Sequence, residues 1–302
     1  MPISLLNTNG TGGTSMLNRF GNGGIGLSTA PPPLLDTYSG ASMALSLRKL
    51  VSNYTGHAIQ VKRSSDNATQ NIGFVGTELD TSSLTSFVGS GTGTVVTWYD
   101  QSVNGYNATQ YTTVATPDII VSGVLQTLNG KPALYFNGAK TLIASSTPNI
   151  YSATKQFISF GVANALDTSI RLLVHIGGTS ANAQAMRRSG NTLEMIAYQS
   201  TGTQTDVGNI NVSTSQFIAC AERSDNKVEM WTNNISNGYT SISGTPSGIT
   251  PATIIGSFSP AGPGFAWNGN MQEIIVFALN PSSNTTYRNA VSTALNTYYT
   301  TY

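Results

Sequence analysis

Ten short apolar or alternating runs, each bounded by Gly, Asn, Ser or Pro, constrain this chain more than anything else in it. They are AIQVKR, TVVTWYD, PALYFNG, QFISFGVA, RLLVHIG, TLEMIAYQ, QFIACAER, KVEMWTN, ATIIGSF and MQEIIVFAL. Runs of this kind with turn residues between them read as strands, and ten of them read as an all-β sandwich or jelly roll. Asn129-Gly130 and Asn237-Gly238 supply the positive φ of tight hairpins. No period of about 20–50 residues recurs, which sets solenoids and propellers aside.

Two segments carry a helical pattern instead. YSGASMALSLRKL places Met43, Leu47 and Leu50 at i, i+4 and i+7 with Ser39 as cap. PSSNTTYRNAVSTALNTYY puts Tyr287, Val291, Ala294, Leu295 and Tyr298 on one face. The expectation is one sandwich domain over 35–302 with a short helix near each end.

Residues 1–34 are Gly, Asn, Thr and Pro with isolated apolar positions at Leu5, Leu6, Met16, Leu17, Phe20, Ile25 and Leu27. Such a segment cannot bury enough surface to fold alone. It reads as an extended arm whose apolar residues are anchoring candidates for a neighbouring subunit, with Pro31–Pro33 as a stiff spacer. The first residues lack a basic n-region and a continuous apolar stretch, so no secretory signal is expected. No run reaches membrane-span length, so no membrane insertion is expected. Only 9% of residues are charged and the net charge is +1, so no field steers polyanions and nucleic acid is not an expected partner. Cys220 is the single cysteine, and His57 and His175 stand apart in sequence; neither an internal disulfide nor a zinc site is expected.

The stretch TWYDQSVNGYNATQ (97–110) ends one apolar run with clustered polar and aromatic residues. Alternation puts Val95, Thr97 and Tyr99 on one face of the strand and Val96 and Trp98 on the other. In the structural reading, Asp100 accepts backbone N–H groups in an Asx-type turn and Asn104-Gly105 supplies positive φ. In the functional reading, Trp98, Tyr99, Asp100, Gln101, Asn104 and Asn107 form a glycan-binding rim of ring and amide groups. A calcium ion on Asp100 and loop carbonyls is a third reading, and no other cofactor or metal is indicated.

The series AIQVKRSSDNATQNIGF, TWYDQSVNGYNATQ, PDIIVSGVLQTLNGKPALYFNG and WNGNMQEIIVFA resembles the concanavalin A-like, laminin-G-like jelly-roll sandwiches. Two blocks, Val61-x-Arg63-x-Ser65-Asp66-Asn67 and Tyr99-Asp100-Gln101-Ser102, are similar to the catalytic domain of the α-L-arabinofuranosidase B family. That resemblance implies a nucleophilic Glu in a Met-Glu-Asn-Asn-like stretch and a vicinal Cys pair beneath the sugar. Neither has a counterpart here, and Glu194 in TLEMIAY is the carboxylate to test. Domains of this pattern also resemble modules of phage virion and bacterial surface proteins. The expectation drawn from arm and sandwich together is a non-enzymatic bacteriophage virion protein, a head or tail fibre or capsid decoration. It would be assembled in the host cytoplasm, exposed on the particle, anchored to other virion proteins by its arm, homo-oligomeric, and able to bind host surface polysaccharide. The alternatives are an arabinofuranosidase-type hydrolase and a bacterial surface adhesin.

Overall fold

Each of the ten apolar runs forms a strand in the protein, seen here as a computed structural model. The structure describes residues 31–144, 146, 148, 157–177, 184–198, 204–208, 210–224, 227–242, 252–258, 265–278 and 284–302. Leu5, Leu6, Met16, Leu17, Phe20, Ile25 and Leu27 lie outside the described residues.

The first half carries β1 (Ala41–Ser46), β2 (Ile59–Arg63), β3 (Thr69–Ile72), β4 (Phe74–Val75), β5 (Glu78–Leu79), β6 (Gly93–Trp98), β7 (Ala108–Thr109) and β8 (Asp118–Val121). It continues with β9 (Val124–Leu125), β10 (Thr127–Leu128), β11 (Lys131–Pro132), β12 (Leu134–Asn137) and β13 (Leu142–Ala144). The second half carries β14 (Phe157–Ala163), β15 (Arg171–Ile176), β16 (Gln184–Ser189), β17 (Thr192–Tyr198), β18 (Gln204–Val207) and β19 (Phe217–Arg223). It ends with β20 (Lys227–Thr232), β21 (Ile235–Ser241), β22 (Thr253–Ile255) and β23 (Asn268–Phe277). The α-helices are α1 (Leu34–Thr37), α2 (Thr81–Val88) and α3 (Asn284–Tyr299).

Pairing is antiparallel between all these strands. One layer runs β1-β23-β14-β19-β20-β21. The other runs β3-β2-β6-β7-β13-β22-β15-β16-β17-β18. Strands β8 and β12 link the layers through β6 and β23, so the sheet is continuous and nearly closes on itself. This is an all-β architecture consistent with a sandwich. Met43, Val61, Trp98, Phe157, Met195 and Ile274 belong to the core between the layers. A second apolar cluster lies on the other side of the first layer, where Phe160, Ile275 and Phe277 pack with Val291, Leu295 and Tyr299 of α3. The entry into β23 needs glycine: at Gly269, φ is +154° and a Cβ would stand 2.1 Å from the carbonyl oxygen of Asn164.

The helix expected near the N-terminal end is a strand instead. Met43, Leu47 and Leu50 have helical spacing, but Met43, Ala44, Leu45 and Ser46 are all buried in succession. A residue run buried on both sides cannot present a single stripe. Met43 and Leu45 enter the interlayer core while Ala44 faces the α3 side, and β1 pairs with β23 along its length. A short apolar window leaves helix and strand undecided, and the available partner edge decided it. The closing helix is as read, with Val291, Leu295 and Tyr299 buried.

Two buried ion pairs tie α3 and the β1–β2 connection to the sheet. The Glu273 carboxylate accepts hydrogen bonds from Ser46 Oγ at 2.8 Å, Arg48 Nε at 2.9 Å and Nη2 at 3.1 Å, and the Tyr299 hydroxyl at 2.8 Å. Arg288 of α3 pairs with Glu222 at 3.0 Å and lies 3.6 Å over the Trp231 ring. Each ion is desolvated, so its partner is what makes its burial tolerable. Glu273→Ala therefore strands the Arg48 guanidinium, and denaturant unfolding should show a loss of about 3–5 kcal/mol; a loss below about 1 kcal/mol would mean that the pair carries no such role.

Candidate functional site

The motif at 97–110 is first a structural joint. The Asp100 carboxylate accepts the backbone N–H groups of Ala44 (2.7 Å), Ser102 (2.9 Å) and Tyr106 (2.8 Å) and the Ser102 hydroxyl (2.7 Å). Gln101 accepts from Leu50 N–H and donates to the carbonyls of Ser46 and Arg48. Asn104 donates to the Ser42 carbonyl, and Asn107 accepts from Asp100 N–H. Trp98, Asp100 and Gln101 are buried. The proposed rim is thus spent on stitching its loop to β1, and a carboxylate ringed by N–H and O–H donors directs no lone pair at a calcium ion. Tyr99 keeps a surface position, its phenol held above the usual range by burial first and by the neighbouring Tyr111 second.

Strict alternation also fails within this run. Gln60 pairs with Thr97 but Val61 pairs with Val95, so Val96 is an extra residue in β6. Such a bulge reverses the facing of everything beyond it. Val95 and Trp98 both enter the interlayer core, and Thr97 and Tyr99 turn to the outer face.

That outer face belongs to one register row across ten strands. Asn71, Gln60, Thr97, Thr109, Ile143, Ile254, His175, Ala185, Ile196 and Asp206 are successive cross-strand partners. Toward β18 it holds the most suggestive chemistry among the described residues. Arg187 of β16 donates from Nε to Glu194 of β17 at 2.7 Å and from Nη2 to Asp206 of β18 at 2.9 Å. Two carboxylate oxygens on one guanidinium edge are at most about 8 Å apart, given ordinary charge-assisted bond lengths. Beside them Leu172, Ala185 and Ile196 make an apolar floor with Phe258. Phe258 packs edge-on to Phe265 at 6.4 Å, and Phe265 is half exposed at φ +58°, a backbone region uncommon for an aromatic residue.

Other described carboxylates have settled roles. Asp118 pairs with Lys140, Asp66 with Arg63, and Glu78 with Lys131 and the Tyr298 hydroxyl. Asp80 caps α2, and Asp36 accepts from Ser52 N–H. Arg171 and Asn268 hold the Asp167 carboxyl down to about 2, the Arg171 hydrogen bonds being the larger cause. Glu222 and Glu229 face each other across β19 and β20, but Arg288 and Lys227 neutralise them separately and Glu222 is buried. Among the described residues, only Glu194 and Asp206 share one cation on the outer face. Glu194 stood out in the sequence; Asp206, Arg187 and Phe258 did not, because only strand pairing brings QTDV beside TLEMIAY.

A family model described as "Alpha-L-arabinofuranosidase B, catalytic" matches residues 37–141. Similar solved structures include a GH54 α-L-arabinofuranosidase soaked with a cyclic sulfate inhibitor, at TM-score 0.62 and 16% identity over 86% of this chain and 64% of that one. A mutant GH54 α-L-arabinofuranosidase soaked with 4-nitrophenyl α-L-arabinofuranoside gives the same values. An arabinofuranosidase complexed with arabinofuranosyl-α-1,2-xylobiose gives TM-score 0.60 at 16% identity, again over 86% and 64%. The chain therefore spans 64% of the length of these structures. At such identity the likeness shows the fold. No curated protein matches the chain.

These findings overturn the expectation of a non-enzymatic bacteriophage virion protein. The matched segment is described as an arabinofuranosidase's catalytic domain, and the three structures named above are arabinofuranosidases. The Gly-rich composition of residues 1–34 carries no information about chemistry and so could not carry that expectation.

His175 lies in the same row, fully buried 5.0 Å from the Phe258 ring, with neither ring nitrogen hydrogen-bonded. Burial pushes its pKa down to about 4. Between the ordinary value of 6.5 and about 4 the unfolded chain binds a proton that the folded chain refuses, so stability falls as pH drops through that window. The loss should be on the order of 3 kcal/mol, and denaturation midpoints across pH 7 to 4 should flatten in His175→Leu relative to the parent; identical slopes would show that His175 does not set them.

Proposed function

We propose that this chain is a glycoside hydrolase domain of arabinofuranosidase type, on a concanavalin A-like jelly roll, acting on α-L-arabinofuranosyl groups attached to a polysaccharide. The observation that carries the reading is the catalytic-domain match at 37–141 in a chain whose fold follows GH54 arabinofuranosidase structures over 86% of its length. Glycosidase chemistry needs two carboxyl groups about 5–9 Å apart, one to attack or to activate water and one to protonate the departing oxygen. Glu194 and Asp206 are the pair that fits. The Glu194 side chain is 16% exposed and suits the part beneath the sugar, while that of Asp206 is 38% exposed and suits proton exchange with the leaving group. Arg187 positions both. Phe258, packed over the buried Leu172 and Ile196, supplies the apolar ring against which a sugar's C–H face packs. Cys220 sits in the cluster under α3, on the first layer, so this site operates without a cysteine beneath the sugar.

The test is release of 4-nitrophenol from 4-nitrophenyl α-L-arabinofuranoside and of arabinose from arabinofuranosyl-α-1,2-xylobiose. The intact protein should turn over at least one, and Glu194→Gln and Asp206→Asn should each lower kcat by 100-fold or more, on the order of a lost acid–base group, with unfolding midpoints close to the parent's. Turnover of neither substrate by the intact protein would sink the reading; turnover that survives both substitutions would remove this pair from it.

A further inference from the structure

We propose a second glycan-binding surface at the opposite end of the same sheet face, formed by Tyr111, Tyr99, Asn71 and Gln60 with His57 alongside, which grips the backbone of a neutral polysaccharide. Its location and chemistry come from the geometry below; the choice of an arabinose-bearing polymer rests on the proposed hydrolase function.

Asn71 is the pivot. Its Oδ1 accepts from the Tyr99 hydroxyl at 2.9 Å and from Gln60 Nε2 at 3.1 Å. Those two bonds fix which way the amide points. They leave the Asn71 NH2 group, with two donors, and the Gln60 carbonyl oxygen without partners among the described residues, and Asn71 is exposed. A donor and an acceptor held side by side match the vicinal hydroxyls of a sugar.

Aromatic rings flank this amide pair. The Tyr99 ring lies 6.1 Å from the His57 ring, and Tyr111 is close enough to Tyr99 to affect its ionisation. Tyr111 is 80% exposed, yet its loop is braced on both sides. Gln110 N–H donates to the Val96 carbonyl at 2.9 Å, Thr112 N–H to Gln110 Oε1 at 2.9 Å, and Lys62 Nζ to Thr113 Oγ1 at 2.6 Å. A ring kept in water on a braced loop buries little of its own surface. It is instead presented with little ordering entropy left to lose, which is what a stacking platform requires. The groups offered to a ligand here, Asn71, Gln60, Tyr99 and Tyr111, are amides and phenols, so they recognise hydroxyls and ring faces and an uncharged glycan suits them.

The register row sets the separation of the two surfaces. Asn71 and Asp206 are its two ends, nine strand spacings apart. At about 4.8 Å per strand that is on the order of 40 Å along the sheet. A single arabinofuranoside cannot reach both ends, and the row between them is buried at Ile254, His175, Ala185 and Ile196, so the two surfaces are separate.

The experiment is affinity electrophoresis in native gels containing wheat-type arabinoxylan, run beside hydrolysis of 4-nitrophenyl α-L-arabinofuranoside, for the parent, Tyr111→Ala and Asn71→Ala. Both residues are exposed, so the variants keep the fold. The parent should be retarded and each variant should bind roughly three- to tenfold more weakly, the loss of one stacking or amide contact, with kcat/KM on the small glycoside unchanged. Variants retarded like the parent, a parent that is not retarded, or an equal loss on the small glycoside would each overturn the second surface. Retardation that the variants lose, in a protein that hydrolyses nothing, would uphold this surface and overturn the hydrolase function instead.

Discussion

Strand β23 is the constraint on which the rest of the molecule hangs. Its ten residues pair with β1 and β14 along one stretch and with β12 along another, so it belongs to one layer and leads into the link to the other. Buried on both sides, it sends Ile274 and Val276 into the interlayer core and Ile275 and Phe277 toward α3. Glu273 sits in the middle of it, and its four donors come from β1, the segment after β1 and the C-terminal helix. A strand that is both a ladder partner and the seat of a buried anion fixes register as well as position. A one-residue slip would expose both core faces and pull Glu273 from Arg48 at once.

With that layer fixed, the ten-strand layer is free to present chemistry on its outer face. One side of it must be apolar to close the core. The other carries the only described carboxylates that share a cation, the half-exposed Phe265, and the amide–phenol group around Asn71. A chain with so few charges uses most of its carboxylates to neutralise buried cations or to cap turns. That economy is what makes a carboxylate pair on an accessible sheet face informative.

The strands were legible because their apolar runs are short and punctuated, and the closing helix because its stripe holds over four turns. The β1 segment was not legible: Met43, Leu47 and Leu50 fit a helix as well as a doubly buried strand, and only the free edge of β23 distinguishes them. The facing of Trp98 was misread for a related reason. Alternation assumes an unbroken ladder, and the extra residue Val96 is visible only against the partner strand β2. Asp100 was read correctly as a backbone-binding carboxylate, since an Asp before a Ser–Val–Asn–Gly turn has local work to do; that Gln101 would grip Leu50, Ser46 and Arg48 was beyond any local argument.

Sequence by itself determined the all-β class, the position of most long strands and the Asn129-Gly130 turn, because these depend on residue periodicity and on local backbone preferences; the second hairpin turns at Asn233-Asn234 and not at the expected Asn237-Gly238, which lies inside β21 where its ladder is irregular. The joining of Arg187, Glu194 and Asp206, the pairing of Asn71 with Tyr99, and the isolation of His175 beneath Phe258 were decided by tertiary structure alone. Each depends on which strands become neighbours and in what register, and in an antiparallel sheet built from distant segments that choice is made by the burial of the whole core.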